Sequence, residues 1–369
     1  MVMRKKSGLK IFYLMNVDWG WIKQRPHFLA EKLAITNKVT LVYPYSWRRK
    51  NLTKNQKCAL FAIPLVYIPF GRKAAIIKNL NNLILRLIFN LVFKIKKYDY
   101  IWVSSPELFE YLPKSNKTPI VYDLMDDILE FQENKPFKEK LYKNENLLIQ
   151  KAKYIFCSSN YLKLKKIEQY RNNDKFYIVN NAFDYSDYYN HKSKKITNNV
   201  YKLCYFGTVS YWFDFQALEF IIKNFNNIEI DIIGPITAYK MPGSYSSNIR
   251  FLGQVRHEEI LKLMDNYDGF IMPFKVDELI KSVDPVKLYE YIYLNKPIIS
   301  VYYDGLKNFS NFVDFYNDYN DLILILKKLI SSKFTNKYDS VMRHQFIAKN
   351  NWMERVKIVN LILLQNLEV

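Results

Sequence analysis

The chain is poor in glycine, proline and cysteine, with 9, 13 and 3 among 369 residues. So few glycines and prolines leave no material for a long disordered linker. Cys58, Cys157 and Cys204 lie far apart and form neither a CxxC pair nor a His/Cys cluster. A zinc site and a disulfide framework are therefore not expected, and a reducing compartment fits. No window approaches about 18 uncharged apolar residues, so no helical span of a bilayer is expected. The early run Lys10-Ile-Phe-Tyr-Leu-Met15 is shorter than a secretory hydrophobic region and lacks a small-residue cleavage site. Acidic residues are scarce beside basic ones, 35 against 55, which leaves a formal charge of +20. That balance suits polyanions (nucleic acid, anionic lipid, phosphorylated substrates) without choosing among them.

What is present is ample core material, 49% hydrophobic residues, in a chain longer than a single core usually serves. Two domains are expected. Short β-rich runs alternate with helical ones, which argues for doubly wound α/β architecture. Strands are predicted over 9–15, 39–43, 100–103, 119–122 and 154–158, then over 202–206, 229–233, 249–252, 269–272 and 297–301. Helices are predicted over 25–33, 72–97, 215–223, 257–266 and 284–294. A polar stretch near 180–199 marks the join. The domains are accordingly placed at 1–185 and 186–349, with 350–369 returning to the first.

Residues 282–300 carry the most information. Asp284 is positioned to cap a helix and Pro285 to occupy its first turn. Lys287 and Glu290, three apart, share one face. A lysine at a helix start suits a phosphate, and a carboxylate one turn on suits a sugar hydroxyl pair. The same spacing also describes an amphipathic helix with a surface ion pair. The context favours the first reading, because the segment resembles the donor-binding helix of GT-B glycosyltransferases, where a Pro-x-Lys-x-x-Glu run precedes an Asn-Lys-Pro-Ile turn. The resemblance implies Lys287 for the donor phosphates and Glu290 for the ribose, with Ser282 and Tyr289 among the donor-binding residues.

Further landmarks resemble the same family. Phe206-Gly207 looks like its donor loop, and Phe251-Leu-Gly253 with Arg256-His-Glu-Glu259 like the loop framing the nucleotide base. Asn181-Ala-Phe-Asp184 resembles the turn closing the first domain, with Ala where the family has Gly. Phe346-Ile-Ala-Lys-Asn-Asn-Trp352 and Arg355 resemble its final helix. The fold implied is α/β GT-B, two Rossmann-like doubly wound domains facing across a cleft, with the C-terminal helix packing back on the N-terminal domain.

In the first half, Val121-Tyr-Asp-Leu-Met-Asp-Asp127 ends a strand, where open α/β sheets place ligands. Sugar transfer needs a base for the acceptor hydroxyl proton. The segment resembles that of teichuronic-acid-type enzymes and of the xanthan glucuronosyltransferase, and the resemblance puts the base at Asp126. An acidic pair at 126–127 can equally cap a helix, the reading given to Asp127. A Mg²⁺ or Mn²⁺ site would need an Asp-x-Asp spacing that is absent, so no metal is expected. The loop Asp18-Trp-Gly-Trp-Ile-Lys-Gln-Arg-Pro-His-Phe28 resembles the Trp-rich, Arg-Pro-His loop of the same enzymes. It supplies acceptor candidates Asp18, Trp21, Arg25 and His27, joined by Asp123. His27 has a capping or packing alternative.

Together these imply a nucleotide-sugar glycosyltransferase without a cofactor beyond its donor, a UDP-sugar. The acceptor expected is a lipid-linked saccharide of capsule, exopolysaccharide or O-antigen type. The basic-apolar stretch 72–97 suits an anionic membrane surface, placing the protein in the cytoplasm against the inner membrane face. Two alternatives stand beside this reading: a retaining GT-B enzyme without a side-chain base, and a basic protein binding nucleic acid or anionic surfaces. No nucleic-acid module accompanies the charge, so nucleic acid is not an expected partner.

Overall fold

The computed structural model describes residues 8–21, 23–45, 60–66, 75–171, 174–184, 200–237, 245–255, 259 and 263–365. The chain divides into two compact units, Met1–Asn180 with Trp352–Val369, and Asn181–Asn351.

In the first unit, β1 (Lys10–Leu14), β2 (Lys38–Tyr45), β3 (Phe61–Val66), β4 (Tyr100–Val103), β5 (Ile120–Leu124), β6 (Ala152–Cys157) and β7 (Phe176–Ile178) form one sheet in the order 3-2-1-4-5-6-7. Every pairing is parallel. In the second unit, β8 (Tyr201–Phe206), β9 (Ile228–Ile233), β10 (Ile249–Gly253), β11 (Gly269–Met272), β12 (Ile298–Val301) and β13 (Val313–Tyr316) pair in the order 10-9-8-11-12-13, again all parallel. In each sheet the first strand lies in the middle and the order reverses beside it. That is the Rossmann arrangement, whose switch point is where ligands bind.

Central strands such as β4 and β12 are buried along their whole length, as parallel strands covered on both faces must be. This explains why continuous apolar runs mark them in the sequence. β3 was not legible there. It carries Pro64, and it pairs only with β2, at the sheet edge where a missing N–H is tolerated. The Lys138–Lys151 helix was also missed, because Glu145 occupies a buried position that an apolar residue would normally mark. The expected helix over 257–266 lies largely outside the described residues.

The C-terminal helix, Trp352–Leu364, belongs to the first unit, as expected. The Trp352 ring stacks on Phe28 at 5.3 Å and 8°. Arg355 Nε donates to the Asn180 carbonyl at 3.1 Å, and Asn360 pairs with Asn37 at 3.0 Å.

Candidate functional site

Three neighbouring strands of the second unit end on glycine. Gly207 after β8, Gly234 after β9 and Gly253 closing β10 have φ of +149°, +146° and +72°. The Gly207 N–H donates to the Ile233 carbonyl and the Gly234 N–H to the Gly253 carbonyl, both at 2.8 Å. A Cβ on Gly234 would fall 2.1 Å from the Gly207 oxygen, so the two backbones can lie side by side only without one. The Gly207 N–H is therefore taken up inside the sheet edge. Its role is to leave room: a Cβ there would sit 1.7 Å from Cε of Lys287.

Lys287 rises from the Val286–Tyr293 helix and lies over that vacant space. Its Nζ stands 5.8 Å from the centroid of the Tyr205 ring, a cation–π contact. Among the described residues its ammonium has no salt bridge. Burial lowers the Lys287 pKa, and the nearby Glu290 carboxylate pulls partly the other way. The edge thus places a half-buried cation beside a glycine-ended switch strand, an arrangement suited to an oxyanion. Glu290, half-buried, lies one turn further along the same helix.

The remaining donor candidates lie elsewhere. Asp284 does not cap this helix, whose N-cap is Pro285. Its carboxylate instead accepts the Asn181 backbone N–H at 2.5 Å and the Tyr289 hydroxyl at 3.1 Å. Tyr289 is buried, its ring packed against Phe309 and Phe346. Ser282, also buried, donates to the Leu279 carbonyl at 2.6 Å. Ser282 and Tyr289 therefore face inward, where the sequence suggested donor contact. Gly234 went unnoticed in the sequence, although a glycine directly after Ile-Ile, in a chain with only 9, was the available signal.

At the corresponding end of the first unit's sheet, the three aspartates after β5 diverge. Asp123 is fully buried and paired with Arg25, with Nε to Oδ1 at 2.9 Å. Arg25 also donates to the Val179 carbonyl at 2.6 Å. Burial raises the Asp123 pKa despite the guanidinium beside it. Both side chains are enclosed, so the acceptor contact expected of Arg25 and Asp123 is replaced by a buried pair joining the Arg25–Thr36 helix to β5.

His27 is buried and serves as the capping alternative required. The Gln24 N–H donates to Nδ1 at 3.1 Å, which leaves Nε2–H to donate to the Asp18 carbonyl at 3.1 Å. Burial lowers its pKa and favours this neutral form. Asp18 is buried too, its Oδ1 accepting the Gly20 N–H at 2.9 Å. Trp21 remains half-exposed, and Trp19 stacks on the His27 ring at 5.4 Å.

Asp127 is buried and pairs with Lys166 at 2.7 Å. No helix starts at 126–127, where the backbone makes a turn, so the capping role given to Asp127 is corrected. Asp126 is the one aspartate of the three that is not buried.

No protein-family model matches the chain, and no curated protein matches it by sequence. Solved structures do match in fold. The lipopolysaccharide outer core galactosyltransferase WaaB in its apo form aligns at 12% identity over 95% of this chain and 98% of its own, with a TM-score of 0.65. Sucrose-phosphate synthase from Thermosynechococcus elongatus aligns at 11% identity over 98% and 99%, with a TM-score of 0.72. Anabaena HepE in complex with UDP and glucose aligns at 15% identity over 98% and 99%, with a TM-score of 0.67. These likenesses run the length of both chains. With two Rossmann-ordered sheets and a C-terminal helix returned to the first unit, this protein has the GT-B fold of those glycosyltransferases.

Proposed function

We propose that the protein is a glycosyltransferase that moves a sugar from a UDP-sugar to a lipid-linked saccharide in bacterial surface-polysaccharide synthesis. The observation that carries this reading is Lys287, a half-buried lysine laid over Gly207 at the switch strand of the second unit. A diphosphate there would supply the missing counter-charge and accept the charge released as the sugar leaves. Glu290, one turn on, is suited to the ribose hydroxyls. Gly253 lines the same strand edge, and Asp284, Tyr289 and Ser282 hold the turn that leads into the helix carrying Lys287. HepE, of the same fold, has been solved with UDP-glucose.

In the first unit, Asp126 takes the acceptor hydroxyl proton while the new bond to the anomeric carbon forms and the bond to UDP breaks. Arg25, Asp123, His27 and Asp18 act on the acceptor side indirectly, by shaping the loop that exposes Trp19 and Trp21. The Ala75–Ile95 helix supports a location against the membrane. Ile76, Leu83, Leu87 and Leu91 on it are more than half exposed, and Arg86, Lys94, Lys96 and Lys97 are exposed around them. No described helix is long and apolar enough to cross a membrane. An apolar face flanked by cations fits an anionic bilayer surface.

A thermal-shift panel of UDP-, GDP-, dTDP- and CMP-sugars tests the reading. A UDP-sugar should raise Tm by mass action, about 2.7 kcal/mol of added stability at a hundredfold excess over Kd. No shift with any nucleotide sugar would remove the donor site.

A further inference from the structure

Asp127 is held by a buried ionic cluster. Its Oδ1 lies 2.7 Å from Lys166 Nζ and its Oδ2 3.0 Å from Lys165 Nζ. Lys166 is fully buried and also meets Glu145 Oε2 at 2.8 Å. Glu145, equally buried, accepts from the Tyr122 hydroxyl at 3.1 Å and the Tyr170 hydroxyl at 2.7 Å. Lys165 is partly exposed and extends to Glu130 at 3.5 Å.

Charges buried in this way seldom add stability over apolar side chains of the same volume, so stability alone is a weak reason for the cluster. Its attachment to the rest of the fold suggests another. Asp127 is the only member of the Asp127–Glu145–Lys166 group that lies on the turn following β5, and Asp126 is its immediate neighbour. The backbone of that turn is fixed on either side. The Ser158 hydroxyl donates to the Met125 carbonyl at 2.6 Å, and Asn134 Nδ2 donates to the Ile128 carbonyl at 2.9 Å. With Asp127 drawn inward to the Asn160–Tyr170 helix, Asp126 is left partly exposed. One aspartate anchors and its neighbour is presented.

We propose that Asp127 is a positioning residue: gripped by Lys166 and Lys165, it locks the 125–130 turn so that the Asp126 carboxylate is held in one orientation. The proposal rests on the reading of Asp126 as the base. Glu145 neutralises Lys166 from the helix side and does not touch the turn. Two isosteric substitutions therefore separate positioning from general structural support. Asp127→Asn uncouples the turn while Lys166 keeps Glu145. Glu145→Gln weakens the cluster while both lysines keep Asp127.

The experiment measures hydrogen exchange across 125–130, Tm, and UDP release from UDP-glucose with water in the acceptor's place, for both variants and for Asp126→Asn. Both cluster variants should lose Tm. Only Asp127→Asn should speed exchange across the turn, by tenfold or more, and lower kcat by a similar factor with KM for UDP-glucose unchanged. Equal effects of Asp127→Asn and Glu145→Gln on exchange or on kcat would overturn the proposal. So would full turnover by Asp127→Asn beside an inactive Asp126→Asn. A fully active Asp126→Asn would defeat the base assignment instead, and the exchange comparison would still decide whether Asp127 locks the turn. Should Asp127→Asn not fold, Lys165→Met removes the outer, partly exposed contacts to Asp127 and Glu130 and leaves Lys166 on Asp127. It should give smaller changes in the same direction, and no change in exchange would overturn the lock.

Discussion

Lys287 is a cation that the second unit pays to keep. Burial opposes its charge, and the only described contacts easing it are the Tyr205 ring and the field of Glu290. A depressed lysine pKa means that the charged form is disfavoured by folding. Lys287→Met should therefore leave the Tm of the unliganded protein unchanged or raised. The same variant should weaken UDP-glucose binding by about 1.5–3 kcal/mol, the range for a charge-assisted hydrogen bond, as read by calorimetry. A lower unliganded Tm with unaltered binding would make Lys287 a structural residue. The glycines beneath it should separate in a related way. At Gly207 an added Cβ meets the far end of the Lys287 side chain, which can swing aside. At Gly234 it meets the Gly207 carbonyl, which cannot. Each substitution also strains a positive-φ backbone by about 1–3 kcal/mol. Gly234→Ala should consequently lower Tm more than Gly207→Ala, whereas Gly207→Ala should impair nucleotide binding by displacing the lysine.

Among the elements, the Ala75–Ile95 helix departs furthest from an ordinary surface helix. Leu85 and Phe89 are buried, so a narrow stripe faces the core. The opposite side, including Leu83 and Leu87, is apolar and exposed to 55% and 60%. In the sequence, Ala74, Ile77, Ile84, Ile88 and Leu91 make only an imperfect apolar stripe at helical spacing. Ala74 lies outside the described residues and Ile77 is half-buried, while Ile84, Ile88 and Leu91 are on the exposed side. Which apolar residues of the helix served the core could not be told from periodicity, because beside the polar line of Asn82, Arg86, Asn90 and Lys94 the apolar positions cover more than the one face that the core needs. Leu83→Asp with Leu87→Asp should abolish cosedimentation with anionic vesicles and leave Tm nearly unchanged, since neither side chain is in the core. Binding should weaken with salt, as attraction to a charged surface is screened over about 8 Å at physiological ionic strength. Equal partitioning onto neutral vesicles would point to the apolar face acting without the cations.

For the whole molecule, the formal charge of +20 makes every buried carboxylate that holds a lysine relevant to acid stability. Asp127 is the clearest case. Burial alone would raise its pKa, but Lys166 and Lys165 outweigh that and lower it. A carboxylate depressed in the folded state contributes stability above its unfolded pKa, near 3.9, and loses it as pH falls through the folded value. Asp123 has the opposite sign, because burial raises its pKa. Tm measured from pH 6 down to pH 3 should show the difference between wild type and Asp127→Asn shrinking below about pH 4. A constant difference across that range would mean that the cluster's effect is steric and not ionic.

Local order in this protein was largely legible in the chain. Parallel strands covered on both faces must be continuously apolar, so β1, β4, β5, β8, β9, β11 and β12 could be read directly. A helical spacing of three was enough to put Lys287 and Glu290 on one face. The sequence also marked Gly207 and Gly253 as strand-end glycines. Only the tertiary structure decided which polar residues turn inward. Arg25 finds Asp123 98 residues away and Lys166 finds Asp127 39 away. Such pairs depend on which strands and helices the crossovers bring together, and local spacing carries no record of that. For the same reason local sequence could not tell which of Asp123, Asp126 and Asp127 is buried and which is exposed. Their separation into a buried partner of Arg25, a half-exposed carboxylate and an anchored one was made by the packing around β5, because each charge leaving water must meet its counter-charge somewhere else in the fold.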